Sequence, residues 1–476
     1  MLLDPRHKGE DDGIGGPAPL AVGAPLGHMA QMDENLLHDV VQAALKAGAD
    51  AAEAVSAERQ SVSISVRLGA LEEVEREEAR DLGLRVFIGR QQATVSGSDI
   101  SAEARGKLVD RAVAMARLAP EDPYAGLAPS DRLANGAVRD LDLDLFDPVE
   151  PSVDLLEKDA RTAEEAARAI QGVTNSDGGS AGWSSSMWRL VTSEGFAGSH
   201  RATGSSLSAM VIAGEGDGME RGWEGRSTRW RADLPAADAV GAEAGRRAVA
   251  QVGARKIDSG TASVIFENRL AASLIGPMIG AISGPSVARG VSFLKDKLGQ
   301  QLFAKGVDIV DDPHRQRGLG SSPFDDEGVA NSRTAFIEDG VLKTWLLNSA
   351  TARQLGLQTT GHASRGLAGP PGVSPANLTV LPGALDLKGL MREVGTGLLV
   401  TSMFGPSLNS NTGDWSIGVS GYWFEDGEEA YPVTEITVAG NLIDVYARLV
   451  PGADLEFRGA TNSPSILVPD LAIAGR

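Results

Sequence analysis

The sequence contains no cysteine, which excludes disulfides, thiolate zinc sites and cysteine nucleophiles. Histidine is nearly as scarce: His7, His28, His38, His200, His314 and His362 are the full set. No two of these stand three to five residues apart, so no helix can offer a His pair at metal-ligand spacing, and H-E-x-x-H is absent. Aromatic residues make up only 5% of the chain, against 58 glycines. A core of Ala, Val, Leu and Ile with many strands and turns is therefore expected. No apolar run is long enough for a bilayer. The longest, Leu270–Ile282, is broken by Gly276 and Pro277, whereas a spanning helix needs about 20 apolar residues. Met1–Ala30 has no apolar stretch of signal-peptide type. The expectation is a cytoplasmic protein with no membrane partner. Net charge is −20, which repels phosphate backbones and anionic lipid and makes nucleic acid a poor partner. Arg221, Arg226, Arg229 and Arg231 form a local basic cluster, expected as solvent-facing charge on a strand.

The 476 residues suggest two or three domains at roughly 150 residues each. Residues 1–30, rich in Gly and Pro, read as a disordered tail. Residues 31–255 read as an N-terminal α/β domain with antiparallel strands flanked by helices. Leu36, Leu37, Val40, Val41, Ala44 and Leu45 recur at helical spacing up to Gly48. Short alternating runs follow at Ala54–Ala57, Val62–Val66, Leu84–Ile88 and Ala93–Ser96. Ser101–Leu118 reads as a helix with Ser101 as N-cap. After a Pro- and Asp-rich arm over residues 120–150, helices are expected over Ser152–Ile170 and Ala236–Val252, with strands between them. Helix, strands, helix thus occurs twice. Duplication and coincidence explain this equally, since no residue-level repeat is visible. Residues 256–476 read as a β-rich C-terminal domain, preceded within it by two short helices, Ala271–Ile282 and Ser286–Leu298. The class expected is α+β.

Motifs for chemistry are few. Gly178–Gly182 matches G-x-S-x-G, but a helix precedes it and a strand follows, the reverse of a nucleophile elbow, so a Gly-rich loop is expected. Gly214–Gly218 carries Glu215 and Asp217, which would repel phosphate. Asp325-Asp326-Glu327 could serve acid–base work or a hard cation, although a solvated turn is the simpler expectation. His362 closes a polar turn, Thr359-Thr360-Gly361-His362, where a lone histidine is usually a surface residue.

The C-terminal half carries blocks in a characteristic order. They include Ser322–Val329, Ile337–Leu342, Ala352–Leu357, Thr359–His362, Glu393–Leu398, Thr412–Ser416, Gly421–Gly427 and Tyr431–Leu442. With Asp81–Phe87 near the start, this order resembles the PmbA (TldE) branch of the TldD/PmbA family over roughly residues 33–476. In that family the TldD subunit bears H-E-x-x-x-H on a helix, with zinc on its two His and a Glu that activates water. The matching segment here is Ala272-Ser273-Leu274-Ile275-Gly276-Pro277. Ala272 and Pro277 stand where His would be, and Ser273 stands where Glu would be. Ser463 occupies the place of a Cys ligand.

The resemblance thus implies a non-catalytic subunit with no catalytic residue and no metal of its own. It would pair with a zinc-bearing TldD-like partner to cut unfolded or short peptides and trim leader peptides. Asp325, Glu327, Gly361, His362, Gly413, Asp414, Gly421 and Tyr422 are the candidates to face peptide or partner, because a β-rich, Gly-rich wall suits strand addition. A divergent homodimeric metallopeptidase and a stand-alone peptide-binding protein are the alternatives, and a homodimer of the isolated chain fits either.

Overall fold

The fold is described from a computed structural model covering residues 34–476. The tail expected over residues 1–30, with His7 and His28, lies outside the described residues. Helix α1 (Glu34–Lys46) buries Leu37, Val40, Val41 and Ala44. This is the apolar stripe its spacing dictates. Strands β1 (Ala51–Arg67), β2 (Ala70–Ile88) and β3 (Gln91–Gly97) follow. Helix α2 (Ala102–Leu118) begins where the Ser101 side chain accepts from the Ala104 N–H. Helix α3 (Val153–Arg168) begins in the same way, with Ser152 accepting from the Leu155 N–H. Then come β4 (Val173–Thr192), β5 (Ala197–Ala213), β6 (Glu220–Thr228) and helix α4 (Ala237–Gln251).

The two helix–strand groups share one sheet. β1 pairs antiparallel with β4, giving the order β3-β2-β1-β4-β5-β6. The runs Ala54–Ala57 and Val62–Val66 belong to one continuous strand. Gly178–Gly182, expected as a loop, lies inside β4 between β1 and β5. Its glycines answer to packing: a Cβ on Gly179 would stand 2.1 Å from the Ala160 carbonyl oxygen of α3. One face of the sheet packs Val62, Ile64 and Val66 under α3 and α4. The two helices touch closely, since a Cβ on Gly241 would lie 1.8 Å from the Ala163 oxygen. The other face puts Val55 and Leu190 against Phe324 and Leu367 from the C-terminal half.

Five C-terminal strands form a closed ring. They are β7 (Gly260–Phe266), β8 (Gly397–Leu408), β9 (Asp414–Glu425), β10 (Glu428–Asn441) and, after the short β11 (Val450–Pro451), β12 (Ile466–Ala474). The order is β10-β9-β8-β7-β12-β11, and β10 also pairs with β12, which closes the barrel. Closure removes the open edges such a sheet would otherwise expose. Val264, Phe266, Val400, Val419, Val438 and Val468 share its buried core. A second sheet of short strands, among them Ile309–Asp311 and Thr334–Glu338, stands beside it. The α+β class is as expected.

Two helices differ from expectation. Ala271–Ile282 is not continuous. A helical turn at Asn268–Ala271 tightens to a 3₁₀ turn over Ala272–Leu274, and the α-helix restarts as α5 (Gly276–Ile282). Pro277 has no N–H for the preceding turn. Ser286–Leu298 is helical only within Gly284–Ala288. Gly290 takes φ +70°, and Ser292 Oγ donates to the Ala281 oxygen at 2.6 Å, so the chain folds back.

Candidate functional site

The interrupted helix presents one stripe to open space: Ser273, Gly276, Pro277 and Gly280, at the i, i+3, i+4, i+7 spacing of a helix face. They wall a cavity of about 520 Å³ with Val291, Phe293, Pro406, Leu408, Trp415 and Ile417. Small residues on the helix side create the room. Nothing lies within 4 Å of where a Cβ on Gly276 or Gly280 would be. The helix is anchored from behind, because Tyr446 donates its hydroxyl to the Leu274 oxygen at 2.9 Å. Burial pushes that phenol well above its usual range.

A second, polar groove of about 920 Å³ runs along the same two walls further on. One wall continues from the helix to Glu267 and Arg269, and the other is β8 at Leu399–Met403. β6 and α4 of the N-terminal sheet complete it. The Met403 sulfur, 3.8 Å from Ser273 Oγ, stands between groove and cavity. Buried Glu224 holds three guanidiniums, those of Arg226, Arg247 and Arg458. Arg247 also reaches Glu243 and Glu267. Burial pulls the Arg226 pKa below the usual guanidinium range, and neighbouring Arg458 and Arg247 act in the same direction.

Three family profiles match the chain. The PmbA/TldA metallopeptidase domain 1 matches residues 52–116, the central domain 146–252 and the C-terminal domain 259–475. Metalloprotease PmbA of Escherichia coli O157:H7 is 38% identical over 94% of this chain and 98% of its own length. The chain belongs to the PmbA/TldD metallopeptidase family. The Metalloprotease PmbA homolog of Haemophilus influenzae is 36% identical over 91% of this chain and 94% of its own length. Among solved structures, a Bacteroides thetaiotaomicron protein named as a modulator of DNA gyrase superposes with TM-score 0.87 at 26% identity, over 94% of this chain and all of that one. TldE of Thermococcus kodakarensis, at 18% identity, shares the fold with TM-score 0.81 over 92% of this chain and 100% of its own.

A metallopeptidase family implies a metal, and the donor set along this PmbA/TldD helix does not fit one. Zinc takes imidazole, thiolate or carboxylate. The cavity offers only the hydroxyls of Ser273, Ser286 and Ser410, and the first already donates to the Leu270 oxygen. Ala272 lies half-buried beside this face and does not line the cavity. Ser463 is buried, with its hydroxyl on the Pro464 oxygen. Among the described residues, no three or more His, Asp or Glu side chains are grouped to hold an ion.

The other candidate residues lie in several places. Asp325 and Glu327 are buried, which corrects the expectation of a solvated turn. Asp325 organises its own loop: Oδ1 accepts from the Glu327 and Val329 N–H groups, both at 2.9 Å, and Oδ2 accepts from Ala363 at 3.0 Å. Burial, then the Glu327 charge, push its carboxyl well above the usual range. Burial also raises Glu327, which accepts from the Ser349 N–H at 2.8 Å. His362 is not a surface residue. It is 4% exposed, with Nε2 at 3.2 Å from buried Asp311 and Nδ1 at 2.9 Å from Thr360 Oγ1. Gly361 takes φ +70° against the Ala330 backbone. Asp414 is exposed and tied to Thr412 and Asn441. Gly413 packs on Phe293 of the cavity wall. Gly421 lies tight against β8, where a Cβ would meet the Leu399 oxygen at 1.9 Å. Tyr422 lines the polar groove.

Of the basic cluster, Arg221 alone is fully exposed, while Arg229 turns inward to the Thr203, Gly318 and Leu319 oxygens. Buried His200 is lowered to about 4 by desolvation and by Arg229, so it is neutral near pH 7. Sequence reasoning missed Arg247, Gln251, Arg269, Met403 and Arg458. They come from separate segments, and no spacing links them.

Half-buried Asp326 has its carboxyl raised to about 6, chiefly by burial. The folded chain therefore keeps this proton to higher pH than the unfolded chain does. The group favours folding below its ordinary value of 3.8, and that contribution is lost as pH rises through about 6. Asp326→Asn can still accept from the Arg365 N–H, which lies 2.8 Å from the carboxylate. The variant is expected to be more stable at pH 8 by roughly 1 kcal/mol, a figure reduced for partial exposure. Urea midpoints should show no gain at pH 4. A variant no more stable than the parent at pH 8 contradicts this.

Proposed function

We propose that this chain is the metal-free subunit of a heterodimeric metalloprotease. A TldD-like partner carries the zinc and performs hydrolysis of unfolded or short peptides, leader peptides among them. The observation that supports this best is the cavity stripe Ser273, Gly276, Pro277, Gly280. It lies on the helix where the family places its metal ligands, and it offers room in place of donors. A wall of this kind serves a partner's active site by accepting apolar side chains of an extended peptide while leaving the chemistry to the other subunit. The net charge of −20 disfavours nucleic acid as a ligand. The absence of cysteine suits the reducing cytoplasm, the compartment proposed.

The test is a peptidase assay on an unstructured peptide with the chain alone, a TldD-like subunit alone and the two co-expressed. Cleavage is expected only where the TldD-like subunit is present, and strongest from a co-purifying pair. Metal-dependent cleavage by this chain alone would instead support a homodimeric peptidase. Peptide binding without any association with the TldD-like subunit would support a stand-alone binding protein.

A further inference from the structure

The polar groove is an island of positive charge on an acidic molecule. Arg221, Arg226, Arg246, Arg247, Arg269 and Arg458 line it, against the lining carboxylates Glu243, Glu267 and Glu429. Burial and nearby Glu267 raise the Glu429 carboxyl, which weakens one of those negative charges. Buried Glu224 neutralises only part of the remainder, because three guanidiniums share it. Arg221 and Arg246 stay open, with side chains 72% and 59% exposed.

Two further features point to a chain-like ligand. Gln251 lines the groove at 9% exposure, and its Oε1 has no hydrogen-bond partner. An unpaired buried amide oxygen is costly unless a donor such as a peptide N–H reaches it. β8 pairs with β7 only over Gly397–Val400. Beyond Thr401 it has β9 on one side and, among the described residues, no strand on the other. The groove therefore contains open strand edge, the backbone half of β-addition. Trp223, 48% exposed, and Tyr422 supply aromatic surface beside it.

We propose that this groove binds a carboxylate-bearing segment of an extended peptide, laid along the free edge of β8, with the peptide continuing past Met403 towards the apolar cavity. Open guanidiniums suit carboxylates because their planar forks match both oxygens. The inference rests on the reading of this chain as a peptide-handling subunit, and it names which peptides that subunit prefers.

The experiment measures fluorescence anisotropy of labelled eight-residue peptides on the full chain, without partner. The peptides share a leucine-containing half and differ in a Glu-, Gln- or Lys-rich half. The Glu peptide should bind roughly tenfold or more tightly than the Gln peptide and lose that advantage in Arg221→Glu/Arg246→Glu. Both positions are surface arginines, and circular dichroism checks the fold. Amidating the peptide C-terminus separates side-chain from terminal carboxylates, and loss of the preference on neutralising either supports the proposed chemistry. Equal binding of the three peptides, or a charge-reversed variant that keeps the preference, overturns the proposal. Co-elution with the TldD-like subunit is followed in parallel, so failure of assembly and failure of the acidic preference are read separately.

Discussion

Glu53→Ala is expected to destabilise the protein by about 3–5 kcal/mol, the cost of leaving buried charge uncompensated. Glu53 is 1% exposed on β1, facing the C-terminal half. It accepts from Arg85 at 3.1 Å and pairs closely with Arg365, whose side chain is fully buried. Arg85 has Gln92 as a further acceptor, at 2.7 and 3.0 Å. Arg365 Nη2 has no partner even in the intact protein. Removing the carboxylate therefore strands two guanidiniums in a dry interface between the sheet and the 320–367 loops. Burial alone would raise the Glu53 carboxyl, but Arg365 and Arg85 outweigh it and hold the pKa below 4.5. The sign follows: the ion pairs contribute above the unfolded pKa, and that contribution is lost as pH falls through the lower folded value. Urea midpoints at pH 7 measure the effect. Replacing all three charged residues by apolar ones should recover much of the loss. A single Glu53→Ala change costing under about 1 kcal/mol would contradict the account.

Gly280→Phe is expected to do the reverse, leaving the fold intact while removing function. Gly280 sits in helix α5 with open space where its side chain would grow. A residue with a Cβ there gains roughly 0.5 kcal/mol of helix propensity, so the melting temperature should hold or rise. The ring would enter the 520 Å³ cavity against Phe293 and Trp415. If that cavity receives substrate side chains opposite the partner's metal, peptide turnover by the assembled pair should fall about tenfold or more, equivalent to at least 1.4 kcal/mol. An intact complex with unchanged turnover would remove the cavity from the substrate's path.

Local features of the fold were legible in the sequence. The N-cap serines Ser101 and Ser152 and the apolar stripe of α1 act within one or two helical turns, and each helix begins where they indicate. The long strands were not legible. The stretch Ser176–Ser186 has turn composition, yet it lies in β4 because β1 and β5 supply ladders on both sides. Glycine there serves the approach of α3. Burial of charge was equally hidden. Asp325-Asp326-Glu327 reads as a polar turn until loops near Ser349 and Ala363 bring N–H donors to it. His362 gains its role from Asp311, a residue 51 positions away. The loss of metal-ligand chemistry along Ala272–Pro277 was legible because it depends on residue type alone. The cavity that replaces it was not, since its far wall comes from Pro406–Ile417.

Whether this polypeptide can seat a catalytic ion is decided most directly by its metal content. The full chain, produced without a TldD-like subunit, is stripped with chelator, incubated with excess zinc, gel-filtered and analysed by elemental mass spectrometry. The expected result is far less than one zinc per chain, with a co-expressed pair retaining zinc on the partner. One zinc held per chain, together with peptide hydrolysis by the chain alone, would contradict the account.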